Sequence, residues 1–202
     1  MDATFEGYRR PDGRVGVRNY VAVIPTSVAA AAVATATADE VGAWARATPH
    51  QLGTSQPDAA RRQTERVLVG IGQNPNVGAA LVVELGTEDI DAEDVADRIA
   101  ADGTAAETLT IREAGGTEAA LDEGETRLHR LNDEVKRARR EEADVAELVF
   151  GVECGGSDAT SGIAANPGGG AACDRPVGAG GTAGFRETPG FLGAGDMLRG
   201  RR

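Results

Sequence analysis

With 202 residues and 20.7 kDa, the chain can bury one substantial core or two small ones, domains of about 100 to 150 residues being the commonest size. Its formal net charge of -11, from 32 acidic against 21 basic residues with Lys136 the sole lysine, argues against a nucleic-acid partner. No run of about 18 apolar residues occurs, and Met1–Glu6 lacks the basic and apolar regions of a signal peptide, so the expectation is a cytoplasmic protein with no membrane partner.

Residues 7–19 form a basic, glycine-rich lead in which Pro11-Asp12-Gly13 predicts a turn. Tyr20–Pro25 is short, β-branched and apolar on both faces, the pattern of a buried parallel strand. Thr26 or Ser27 then caps a predicted alanine-rich helix reaching about Arg46. A helix follows over Asp58–Gly70 and a second buried strand over Ala79–Leu85. Residues 91–101 are amphipathic, with Val95 and Ile99 on one face. Thr108–Ile111 predicts a third strand, Thr117–Ala143 a long charged helix in which His129 faces solvent, and Leu148–Val152 a fourth strand. Beyond Cys154, runs such as Pro167-Gly168-Gly169-Gly170 replace periodic segments.

Alternating strands and helices predict an α/β fold with a Rossmann-like, doubly wound, mostly parallel sheet and an incomplete Gly-rich C-terminal portion. The expected division is an α/β domain over 1–147 and, over 148–202, a strand plus Gly-rich segment that begins a second, truncated domain. A nucleotide-binding role is disfavoured, because Thr26-Ser27-Val28-Ala29 stands where Gly-x-Gly-x-x-Gly would follow the first strand. Cys154 and Cys173 read as free thiols in a reducing compartment. The acidic, lysine-poor, alanine-rich composition matches a protein of a salt-loving organism, since concentrated salt screens the repulsion of surface carboxylates.

Several segments together carry a family resemblance. They are Asp12-Gly13-Arg14-Val15-Gly16-Val17-Arg18-Asn19, Ile24-Pro25-Thr26, His50-Gln51-Leu52-Gly53, Asn74-Pro75-Asn76-Val77-Gly78, Gly115-Gly116-Thr117, Cys154-Gly155-Gly156-Ser157-Asp158, Ala165-Asn166-Pro167 and Glu187-Thr188-Pro189. In this order they resemble the altronate dehydratase and galactarate dehydratase family, which also includes a sulfolactate sulfo-lyase large subunit. The resemblance implies a hydro-lyase that dehydrates a sugar acid to a 2-keto-3-deoxy acid. It also implies a longer catalytic region, so the chain is expected to be a fragment, a frameshifted product or a degenerate member. The alternative is a catalytically inactive member acting as a binding or assembly remnant.

Such a reaction builds negative charge on oxygen, and needs a base, donors or a metal for the carboxylate, and an acid for the leaving hydroxyl. The expected catalytic residues are His50, Ser157 and Asp158. Gly155 and Gly156 offer backbone N–H groups after a strand, where open α/β folds bind ligands. The Cys154 turn with Ser157, or Arg18 and Asn19, is expected to hold the acid group, with Asn74, Asn76 and Asn166 on sugar hydroxyls and Gln51 also in contact with substrate; asparagine beside proline is otherwise ordinary turn chemistry. Cys154 and Glu88 are the expected metal ligands. The resemblance suggests ferrous iron and a small partner subunit or domain, and a homo-oligomer is compatible with it. Thr54 and Thr87 stand where the family usually has cysteines, alanines follow Ile-Pro-Thr where cysteine is common, and Gln73-Asn74 stand where a histidine is frequent. Thr188–Asp196 lacks the acidic and histidine positions expected there. With these soft ligands replaced, a chain without metal is the second expectation.

Overall fold

The computed structural model describes residues 3–153, 155–156, 158–186 and 193–200. They divide into a larger unit, Glu6–Glu141, and a smaller one made of the residues up to Phe5 with those from Glu142 onward.

The chain enters through β1 (Thr4–Arg9) and β2 (Val15–Gly16), which pair antiparallel with Tyr8 opposite Gly16. The turn at Pro11-Asp12-Gly13 joins them, the Gly13 N–H donating to the Arg10 carbonyl at 2.9 Å. The centre of the larger unit is a parallel sheet. β3 (Tyr20–Pro25) leads into α1 (Val28–Val41), with Ser27 as its N-cap. β4 (Ala45–Ala47), α2 (Asp58–Gly72), β5 (Val77–Glu84), α3 (Ala92–Ala100) and β6 (Ala105–Thr110) follow. A short α4 (Ile111–Ala114) and the long α5 (Thr117–Val135) complete this unit's helices. The strand order is β4-β3-β5-β6, all parallel. β3 and β5 are therefore the central pair, and the direction of winding reverses between them.

Side-chain alternation along the strands sorts two cores. Val21, Val23, Leu81 and Val83 pack with Ala30 and Ala34 of α1 and with Leu128 and Leu131 of α5. Ile24, Ala80 and Val82 point the other way, onto Leu68 of α2 and Val95 and Ile99 of α3. Helices thus cover both faces, which is why the central strands are apolar throughout. Each fully buried valine, leucine or isoleucine contributes roughly 1.5–3 kcal/mol.

In the smaller unit, β7 (Glu141–Asp144) runs into a 3-10 turn at Val145–Glu147, and the Val145 N–H donates to the Ala3 carbonyl at 2.9 Å. β8 (Val149–Val152) pairs parallel with β9 (Thr182–Phe185), Val149 opposite Thr182. Between them a π-helical turn, Ser161–Ala165, continues into α6 (Asn166–Gly178). α7 is Gly195–Gly200.

Three expectations are corrected. The first helix ends at Val41, where Gly42 leaves helical geometry at φ 93, and Arg46 lies in a strand. The long charged helix ends at Val135, and Glu141–Asp144 is extended. The central sheet's fourth strand is β4, whose three residues carry too little pattern to read. The Gly-rich portion holds a 13-residue helix despite Gly168-Gly169-Gly170. Cys173 is a free thiol. Among the described residues, no helix is long and apolar enough to cross a membrane.

Candidate functional site

The carboxyl ends of β3 and β5 are where an open α/β sheet leaves a crevice at the reversal of strand order. Three loops meet there: residues 26–27 after β3, 50–56 after β4 and 85–89 after β5. The loop after β4 is tied down by the Val28 N–H donating to the Leu52 carbonyl (2.9 Å) and the Ser55 N–H to Asp89 (3.2 Å). Gly53 lies so close to the end of β3 that a Cβ there would sit 2.2 Å from the Thr26 carbonyl oxygen, and its φ of +100 suits glycine alone.

Half-buried His50 is fixed by both ring nitrogens. Nε2 lies 2.8 Å from the Pro25 carbonyl, which only accepts, so Nε2 carries the proton; Nδ1 accepts the Leu52 N–H at 3.1 Å. The imidazole therefore anchors its loop to the end of β3. Gln51 beside it is exposed.

Glu88 receives five donors. Oε1 accepts from the Leu85 N–H (2.7 Å), the Ser27 hydroxyl (2.8 Å) and the Thr26 hydroxyl (3.2 Å), and Oε2 from the Gly86 and Thr87 N–H groups (2.7 and 2.8 Å). Thr26 and Ser27 are wholly buried. Burial raises the Glu88 pKa, but hydrogen bonds from the Leu85 and Thr87 N–H groups and the Ser27 hydroxyl outweigh it and lower the value to about 2. Ser27 also accepts the Ala29 N–H, so one hydroxyl joins the carboxylate to the start of α1. Beside this cluster opens a cavity of about 660 Å³ lined by Glu84, Gly86, Glu88, Asp89, Thr110 and Arg112, among others.

Arg18, Asn19 and Asn76 lie at the opposite end of the sheet. β3 separates Asn19 from Thr26 by roughly 23 Å at about 3.3 Å per residue. There they hold the chain together. Asn76 Oδ1 accepts the Arg18 N–H at 3.0 Å, and Asn19 accepts from Arg10 (2.8 Å) and donates to the Val135 carbonyl (2.8 Å). A Cβ on Gly16 would fall 1.8 Å from the Pro75 carbonyl oxygen. The two motif segments 12–19 and 74–78 thus meet in one packed joint, and these residues are not brought to His50 or Glu88.

In the smaller unit, Gly155 and Gly156 are exposed and the Gly156 carbonyl accepts the Ser161 hydroxyl at 3.0 Å. The Asp158 carboxylate takes the Thr160 and Ser161 N–H groups (2.7 and 3.0 Å) and the Thr160 hydroxyl. Hydrogen bonds, that from the Thr160 hydroxyl first, lower its pKa. Asn166 opens α6 and is exposed. Cys154, Ser157 and Glu187-Thr188-Pro189 lie outside the described residues.

Among the described residues the donor set does not fit a metal in this form. Both nitrogens of His50 and both oxygens of Glu88 are engaged, and among the described residues no three His, Cys, Asp or Glu side chains gather as ligands. The sequence offered Thr26 and Ser27 as helix caps, Thr26 also as part of the Ile24-Pro25-Thr26 motif, and gave no role to Arg112. The usable signal was their place directly after the strands β3 and β6.

Comparison with known proteins adds two family matches. Residues 7–136 match "D-galactarate dehydratase/Altronate hydrolase, second domain", and residues 145–202 match "D-galactarate/Altronate dehydratase, C-terminal". The (2R)-sulfolactate sulfo-lyase subunit beta of Chromohalobacter salexigens is 36% identical over 198 residues, 98% of this chain and 50% of that protein. The altronate dehydratase of Escherichia coli is 32% identical (98% and 41%), and that of Bacillus subtilis 30% (96% and 41%). The chain spans half or less of the length of these relatives.

Proposed function

The chain belongs to the D-galactarate dehydratase and altronate hydrolase family, and from that premise we propose that it serves a carbon–oxygen hydro-lyase acting on a sugar acid such as altronate or galactarate. The observation that carries the proposal is the ordered match over both 7–136 and 145–202. In this reaction the proton on the carbon next to the carboxylate is removed and the neighbouring hydroxyl leaves as water. The resulting enol tautomerises to the 2-keto-3-deoxy acid. The larger unit is read in the same proposal as a Rossmann-like, doubly wound sheet, supported by parallel strands with helices on both faces.

His50 or Asp158 is the proposed proton carrier. For His50 to take a proton, the Leu52 N–H must leave Nδ1. Asp158 is held ionised by its hydrogen bonds, which weaken it as a base. The family resemblance brings ferrous iron with it, but the described donors do not fit that ion, and no step here passes through it. A second subunit, a cytoplasmic location and self-association belong to the same proposal; the sulfo-lyase relative, named as a subunit beta, supports the first.

Purified protein given altronate and galactarate, with and without ferrous iron and a partner subunit, is expected to release a 2-keto-3-deoxy acid. No product from a folded chain under all these conditions overturns the proposal. The full engagement of His50 and Glu88 favours a second reading, a binder without turnover. A binder gains thermal stability from the acid as RT ln(1 + [L]/Kd) and forms no product.

A further inference from the structure

Five hydrogen-bond donors converge on one point at the carboxyl ends of the two central strands: the N–H groups of Leu85, Gly86 and Thr87 and the hydroxyls of Thr26 and Ser27. The Thr26 and Ser27 side chains have no access to water; Thr26 can also turn to the Val83 carbonyl (3.4 Å), whereas the Ser27 hydroxyl donates only to Glu88, so burial calls for an acceptor there. The acceptor now present is the chain's own Glu88 carboxylate. It reaches the point from the same loop that supplies the three N–H groups, so it can leave by rotating its side chain without moving a strand. The cavity beside it has room for that rotation, and among the carboxylates of Glu84, Asp89, Asp91 and Glu113 on its wall the Arg112 guanidinium, which reaches the Gly86 carbonyl at 3.4 Å, is the cation the departing carboxylate can meet. Replacing one carboxylate by another leaves the charge at the donors unchanged. Of the other carboxylates on the cavity wall, Glu84 is occupied by the Thr110 hydroxyl (2.9 Å) and the Ala92 N–H (3.1 Å), Asp89 by the Ser55 N–H (3.2 Å) and Asp91 by the Asp94 N–H (2.9 Å).

We propose that these five donors are a carboxylate-binding subsite that Glu88 keeps closed, and that the acid group of a small carboxylate ligand enters by displacing Glu88 toward Arg112. This deepens the hydro-lyase reading by naming where the acid group lies, and rests on that reading only for the identity of the natural acid.

The test uses sodium formate as the probe, with sodium chloride at equal ionic strength as the control, on the full chain. Glu88→Gly is expected to melt below the native protein and to regain about 3–6 °C with formate at ten times its Kd. Chloride should not reproduce this. The native protein should bind formate at least tenfold more weakly, because Glu88 competes, and Ser27→Ala in the Glu88→Gly background should weaken formate severalfold. The proposal is overturned if Glu88→Gly gains no more from formate than from chloride, or if native and variant respond alike. Should Glu88→Gly fail to fold, amide NMR of the native protein decides. Saturable movement of the Gly86 and Thr87 signals with formate supports the subsite, and unmoved signals overturn it. None of these readouts needs turnover, so formate binding without any product from sugar acids rejects the hydro-lyase reading alone.

Discussion

Glu88 shows how a residue's chemistry is decided by who has already bound it. A carboxylate at a strand end is a reasonable metal ligand on paper, yet its oxygens are filled by five donors. With the folded pKa lowered to about 2 from 4.5, the carboxylate contributes stability that is fully present above pH 4.5. That contribution is lost as pH falls through the interval toward 2. After allowance for solvent screening it is about 1–2 kcal/mol. Glu88→Gln should therefore be less stable at neutral pH, and acid titration followed by circular dichroism should show the gap between variant and native protein closing below pH 4. At Gly53 the conflict is steric. Gly53→Ala places a methyl group against the Thr26 carbonyl in a backbone conformation foreign to alanine, and should cost about 2–3 kcal/mol in denaturant unfolding. Asn76→Ala removes the acceptor of the Arg18 N–H and should cost about 1 kcal/mol. Because Asn76 lies at the far end of the sheet, any stabilisation that sugar acids give the native protein should keep its size in the variant.

The elements divide into those whose pattern is strong and those that packing imposes. β3 and β5 are apolar on both faces because both are covered, and their sequences alone announce it. α6 is the opposite case, holding helical geometry through Gly168-Gly169-Gly170 against intrinsic propensity. A Cβ added at Gly170 meets nothing within 4 Å. Gly170→Ala should therefore stabilise the smaller unit by about 0.5–1 kcal/mol, read as a rise in its denaturant midpoint. No gain would mean that α6 is not helical in solution. β4 is three residues long and belongs to the sheet through its pairing with Val21, Ala22 and Val23. No local pattern of that length distinguishes a strand from a helix end.

At the scale of the whole molecule, the acidic excess acts as a distributed repulsion. With a net charge of -11, raising salt from about 10 mM to molar should screen that repulsion and raise the melting temperature. A melting temperature that is flat across the series would remove the halophile reading of the composition. The motif segments also acquire different meanings at this scale. Residues 12–19 and 74–78 form a packed joint at the amino end of the sheet, where Gly16 has no space for a side chain beside Pro75. Residues 24–26, 50–53 and 85–88 meet at the carboxyl end, where ligands of open sheets lie.

Read alone, the sequence determined the α/β class, the central strands, the turn at Pro11-Asp12-Gly13 and the family, because hydrophobic runs, turn residues and ordered motifs are local properties of the chain. The bounds of the charged helix, the strand identity of β4 and the helix in the Gly-rich portion were not legible, since pairing and packing decided them over weak local preference. Which candidate residues share a site was decided only by the tertiary structure. His50 is held by a carbonyl 25 positions away, and Glu88 by hydroxyls 61 and 62 positions away. Strand order brings those partners together, and it is a property of the whole sheet that no single segment encodes.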